Sequence, residues 1–200
     1  MVELVLVLVT GGLHLVFENV LHLKGPFIIA AVAFWAGYIA VRRRRDPQVF
    51  HEWGFRTDTL KPAAVACGIV FAVGAAGMIA YAALQGRLAL PPTFWALLLL
   101  YPVWGIVQQF LLNALVARNL ARRLPAAAVI PLTAVLFGVA HVPDWALSAL
   151  TIAAGLAWVP IYLRWPNLLA LGVCHGFLGS LVYPLVLGRD VVAEASKFLP

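Results

Sequence analysis

Seven long apolar runs alternate with short polar joints along the chain, and nearly all the charge sits in the joints. A bilayer core takes about 20 apolar residues in one helix. The runs at 2–17, 26–41, 62–84, 94–117, 126–142, 146–163 and 168–187 each read as a crossing. The first two are short and are expected to pair as a helical hairpin through His22, Lys24 and Gly25. Run 2–17 lacks a basic leading segment and a small-residue cleavage site, so it reads as a retained helix rather than a signal peptide. The pattern predicts an all-α fold, a polytopic transmembrane helical bundle of about seven spans. It reads as a single domain: 1–61 an N-terminal hairpin with a basic inner loop, 62–187 a membrane core, and 188–200 a short tail.

Composition supports the membrane. The chain is 64% hydrophobic and 11% charged, where soluble domains run nearer a quarter charged. A soluble fold this small would leave about a third of its unfolded surface wet. The net charge of +6 does not imply nucleic acid, because the positive residues flank apolar runs, where they set orientation. With the N-terminus in the cytoplasm, the inner joints hold Arg42, Arg43, Arg44, Arg45, Arg56, Lys61, Arg118, Arg122, Arg123 and Arg164. The outer side keeps Lys24, Arg87, Arg189 and Lys197. The expected home is a bacterial inner (plasma) membrane with the C-terminus outside. Arg42 to Arg45 are suited to anionic lipid headgroups. The 46–61 loop, with Phe50, Trp53 and Phe55 among charges, is expected to lie at headgroup level, and Trp35, Trp53, Trp95, Trp145 and Trp165 to act as interfacial anchors. Cys67 and Cys174 are isolated thiols with no metal or disulfide spacing.

Polar side chains inside the runs are costly and therefore point to function. Gln108, Gln109 and Asn113 lie on the fourth run, with Gln109 and Asn113 on one helix face. His141 ends the fifth and His175 sits within the seventh. Lipid cannot satisfy them, so they are expected to face one another or buried water. Counted at about 1.5 Å per residue from the inner ends, Gln108 and His175 come out at similar depths. His141 comes out about 10 Å deeper by the same count. Asp144 has two readings: it orients His141 if the helix continues, or it sits solvated in the outer turn. His14, Glu18 and His22 recur every fourth residue and read as a solvated stripe at a helix end, the alternative being a metal or proton site.

These residues resemble the motifs of the CPBP family, intramembrane glutamate-type proteases that include type II CAAX prenyl proteases and bacteriocin-processing or immunity proteins. The family's paired glutamates and following arginine fall on Gln108, Gln109 and Asn113. Its Phe-x-x-x-His falls on Phe137 and His141, and its last histidine, with Asn or a small residue four later, on His175 and Gly179. The resemblance spans roughly 60–187. It implies endoproteolysis of a membrane-associated or prenylated peptide by activated water, with His141 as the water-activating residue and His175 as an oxyanion donor. A primary amide does not titrate near neutral pH, so neither glutamine can act as a general base. The expectation is a weakened or inactive protease. The alternative is a non-catalytic, immunity-type binding protein using the same cavity. No cofactor and no metal is expected, because two histidines and two amides lack the carboxylate or thiolate of a zinc centre. The expected partners are membrane lipids and a lipid-modified or membrane-associated peptide, with no nucleic acid.

Overall fold

The computed structural model describes residues 2–196, so Lys197, assigned above to the outer side, lies outside the described residues. The helices are α1 (Val2–Asn19), α2 (Lys24–Arg45), α3 (Val49–Trp53), α4 (Leu60–Leu84), α5 (Phe94–Gln109), α6 (Arg118–Ala121), α7 (Ala126–Val139), α8 (Trp145–Arg164), α9 (Leu168–Leu181) and α10 (Val191–Ser196). π-helical stretches Phe110–Ala117 and Val182–Leu187 continue α5 and α9. Among the described residues six helical segments are long and apolar enough to cross a membrane, with Ala126–Val139 a shorter apolar helix beside them. The chain is an integral membrane protein.

Contacts between distant joints sort them onto two faces. On one, Thr59 Oγ1 donates to the Pro166 carbonyl (2.8 Å) and Asn167 Nδ2 to that of Arg56 (2.6 Å), while Arg118 pairs with Glu52. On the other, Thr93 Oγ1 donates to Asp190 (2.7 Å), Arg189 pairs with Asp144 (2.7 Å) and Arg87 Nη1 donates to the Val186 carbonyl (3.1 Å). Successive helices therefore run alternately up and down, and the arginine-rich joints share one face. On that face the Arg56 guanidinium holds the exposed Asp58 carboxyl down to about 2. Opposite, the Ala193 backbone N–H and the Thr93 hydroxyl hold Asp190 below the usual carboxylate range.

Several expectations are corrected. Trp53 is not an exposed anchor: within the 46–61 loop Val49 and Trp53 of α3 are fully buried. Trp53 meets Phe110 edge-on at 5.0 Å, and its carbonyl accepts from Tyr162 Oη at 3.0 Å. Helix α3 thus plugs the basic end of the bundle. Trp35 is likewise buried, whereas Trp95 and Trp145 are exposed. Helix α1 ends at Asn19 and His22 takes a left-handed φ of 55°, which breaks the His14–Glu18–His22 stripe. His14 and Glu18 form a pair at 2.9 Å. Helix α7 stops at Val139, so Asp144 does not extend it towards His141. Asp144 instead caps α8, accepting from the Leu147 N–H at 3.0 Å.

The N-terminal hairpin is tied to the rest through Glu3, a buried carboxylate that the sequence reading passed over. Its oxygens accept from Tyr38 Oη (2.9 Å) and Asn119 Nδ2 (2.8 Å), with Arg42 Nε at 3.8 Å. A carboxylate out of water needs partners of this kind. Helices α5 and α9 form the closest crossing. A Cβ on Gly105 would lie 2.3 Å from the Gly172 carbonyl oxygen, one on Gly172 2.3 Å from Ile106, and one on Gly176 2.3 Å from Pro102 Cα. Small residues let membrane helices approach in this way, and Gly172-x-x-x-Gly176 was a legible signal for it. This crossing positions the site.

Candidate functional site

All the motif residues converge between α5, the α7–α8 turn, α8 and α9. Gln109 is fully buried. Its Oε1 accepts from Asn113 Nδ2 and its Nε2 donates to His175 Nδ1 at 3.2 Å. Three neutral side chains from two helices thus form one hydrogen-bonded chain. Asn113 lies one turn on from Gln109, where the π-helical stretch begins to widen the backbone. Such stretches recur at functional sites. The far end is incomplete, since Asn113 Oδ1 is buried with no partner among the described residues.

The imidazoles present opposite faces to the cavity. His175 accepts at Nδ1, so the neutral ring carries its proton on Nε2 and offers a donor. His141 Nδ1 lies 2.8 Å from the Phe137 carbonyl. A carbonyl can only accept, so His141 Nδ1 is the protonated nitrogen and Nε2 keeps a free lone pair. One histidine donates and the other accepts. His175 is wedged in place, stacked on Trp158 at 4.7 Å and 25° and edge-on to Phe137 at 5.6 Å. The Phe137 ring also meets His141 edge-on at 5.1 Å. The Phe137 ring thus touches both imidazoles, and both line one cavity despite the depth difference expected from the sequence.

Gln108, His141, His175, Tyr101, Tyr183 and Trp158 line a cavity of about 90 Å³. At about 30 Å³ per water it has room for roughly three waters, or for the carbonyl of a chain crossing its mouth. Unlike its neighbour, Gln108 is half-buried and has no side-chain hydrogen bond among the described residues, leaving its amide to the cavity. No carboxylate is among the described residues that line it. Among the described residues no group of three His, Cys, Asp or Glu stands close enough to hold a metal ion. Cys67 and Cys174, distant in sequence, come together beside the site, with Cys174 Sγ 3.3 Å from the Cys67 carbonyl.

Sequence reasoning missed Tyr101, Tyr183 and Trp158. Their aromatic rings are common in membrane helices, and nothing in their spacing marked them. The glycine at 179, which replaces a side chain, is explained by Tyr101: a Cβ at 179 would lie 2.3 Å from Tyr101 Cε1.

A helical membrane bundle that gathers amides and imidazoles around an internal cavity defines a class, the polytopic membrane protein with a buried polar site. Residues 89–181 match the family model described as Rce1-like, type II CAAX prenyl endopeptidase Rce1-like. This segment, which carries Gln108, Gln109, Asn113, Phe137, His141, His175 and Gly179, is CPBP-like and CAAX-protease-like. No curated protein and no solved structure matches the chain.

Proposed function

We propose that this protein holds a lipid-modified, membrane-associated peptide at the cavity between α5, α8 and α9, and that it hydrolyses that peptide weakly or not at all. The family is one of prenyl endopeptidases, which supports the ligand class. One observation carries the loss of hydrolysis: amides stand at Gln108 and Gln109, where the family's motif has glutamates, and no carboxylate is among the described residues that line the cavity. A neutral amide neither takes a proton from water nor stabilises the cation that proton transfer would create. Among the described residues that line the cavity, His141 Nε2 is the base left with a free lone pair, and no carboxylate lines the cavity beside it.

A second reading, slow hydrolysis with His141 acting alone, is favoured by that same free lone pair. Positioned general bases are worth about 10² to 10⁴ in rate, so this reading allows a residual activity lower by about that factor. The protein belongs in this view to a plasma membrane of the bacterial inner-membrane kind, with the arginine-rich face in the cytoplasm and anionic lipid against Arg42 to Arg45.

The test uses purified protein in lipid nanodiscs and a fluorescent peptide bearing an S-farnesyl cysteine near its C-terminus. Binding without product is expected from the native chain. Gln108→Glu, which places a carboxylate at the cavity opposite His141, is expected to produce cleavage. Native protein that cleaves the peptide at a rate abolished by His141→Ala would overturn the non-hydrolytic reading.

A further inference from the structure

Position 179 follows His175 by one helical turn and so lies on the same face of α9. Glycine there leaves the face bare, yet the space is filled. Tyr101 Cε1 and Cδ1 lie 2.3 and 2.9 Å from where a Cβ at 179 would sit. The other close glycines of this crossing, Gly172 and Gly176, meet mostly backbone of α5 and serve helix approach alone. Gly179 differs because what it admits is a ring ending in a hydroxyl, and that ring lines the cavity. Tyr101 Oη lies 3.3 Å from Tyr183 Oη, with the two rings edge-on at 6.0 Å and 88°.

Resting on the proposed peptide-holding role, we infer that Tyr101 supplies the hydrogen bond that holds a carbonyl oxygen of the bound peptide. It works beside the His175 Nε2–H, in the space a side chain at 179 would otherwise fill. Two phenols that share one hydrogen bond have one O–H proton left over. Without ligand Tyr101 Oη donates to Tyr183 Oη; when a carbonyl oxygen enters, the Tyr101 O–H turns to it and Tyr183 donates to Tyr101 Oη in its place, polarising the bond to the ligand. Tyr183 is then a positioning residue and Tyr101 the ligand-contacting one. The ligand class is set by the donors: two neutral N–H and O–H groups in an apolar wall fit an uncharged carbonyl oxygen.

The experiment measures affinity of the S-farnesyl peptide in nanodiscs, with melting temperature and gel-filtration profile as controls for folding. Tyr101→Phe keeps the ring against Gly179 and removes only the hydroxyl. It is expected to weaken binding about threefold to tenfold, the value of one neutral hydrogen bond, with the melting temperature unchanged. Tyr183→Phe should cost less, and adding it to Tyr101→Phe should cost nothing further. The double variant Tyr101→Ala with Gly179→Asn vacates the ring and returns a donor to α9, and should bind more tightly than Tyr101→Ala alone. Native affinity in Tyr101→Phe, or a greater loss in Tyr183→Phe, overturns the assignment while leaving the peptide-holding role standing. A native chain that does not bind the peptide overturns that role, and this assignment with it.

Discussion

Replacing Gln109 by alanine would strip a partner from the Asn113 amide and another from His175 Nδ1, both of them buried. Orphaned buried groups cost about 1–3 kcal/mol, though paired polar groups between membrane helices average nearer 0.6 kcal/mol. Gln109→Ala is therefore expected to lower stability by about 1–3 kcal/mol in reversible unfolding by SDS, whereas Gln108→Ala, on an amide without an internal partner, should change it little. Equal values for the two would show that the amide chain carries no stability. These glutamines were legible in the sequence, as were Asn113 and the two histidines, because polar groups are scarce inside apolar runs. Their hydrogen-bond partners were not, since spacing says which helix face a residue occupies and nothing about the ring wedged against it. Tyr101 and Trp158 were hidden by being ordinary.

Helices α1 and α2 lie outside the matched segment 89–181 and expose most of their surface to the membrane region. Glu3 is the polar tie between this hairpin and the core, reaching Tyr38 in α2 and Asn119 in α6. Glu3→Ala would leave Tyr38 and Asn119 without that acceptor. Faster hydrogen exchange is expected in the first two turns of α1, with exchange in α5 and α9 unchanged. Glu3→Gln, which keeps an acceptor oxygen, should fall between the two. Uniform protection across all three proteins would show that apolar contact alone seats the hairpin. Helix positions were readable from hydropathy because the bilayer fixes their length. The Glu3 tie was not, because its partners stand 35 and 116 residues away. The burial of Trp53 in α3 was missed for a related reason: a mixture of aromatic and charged residues marks a bundle end without saying which rings face inward.

The sorting of joints onto two faces makes orientation a single yes-or-no property of the whole chain. Cysteine placed at exposed Arg122 or at exposed Gln85 should behave oppositely towards a membrane-impermeant maleimide in intact cells. Gln85→Cys is expected to label and Arg122→Cys to stay silent. The native Cys67 and Cys174 are buried and give little background. The reverse pattern would place the arginine-rich face outside and refute the assigned topology.

Helix α7 has 14 residues, about 21 Å at 1.5 Å per residue, against a hydrocarbon core of about 30 Å. Thinning of the bilayer beside α7 is the expected response to this shortfall, and at the His141 end it would bring headgroups and solvent towards the imidazole. A dimple of this kind gives a lipid-tethered chain a shallow way in that needs no lid to open. It also makes performance depend on acyl length: nanodiscs of short-chain lipids should speed peptide association relative to long-chain ones, and indifference to bilayer thickness would rule the dimple out as an entrance.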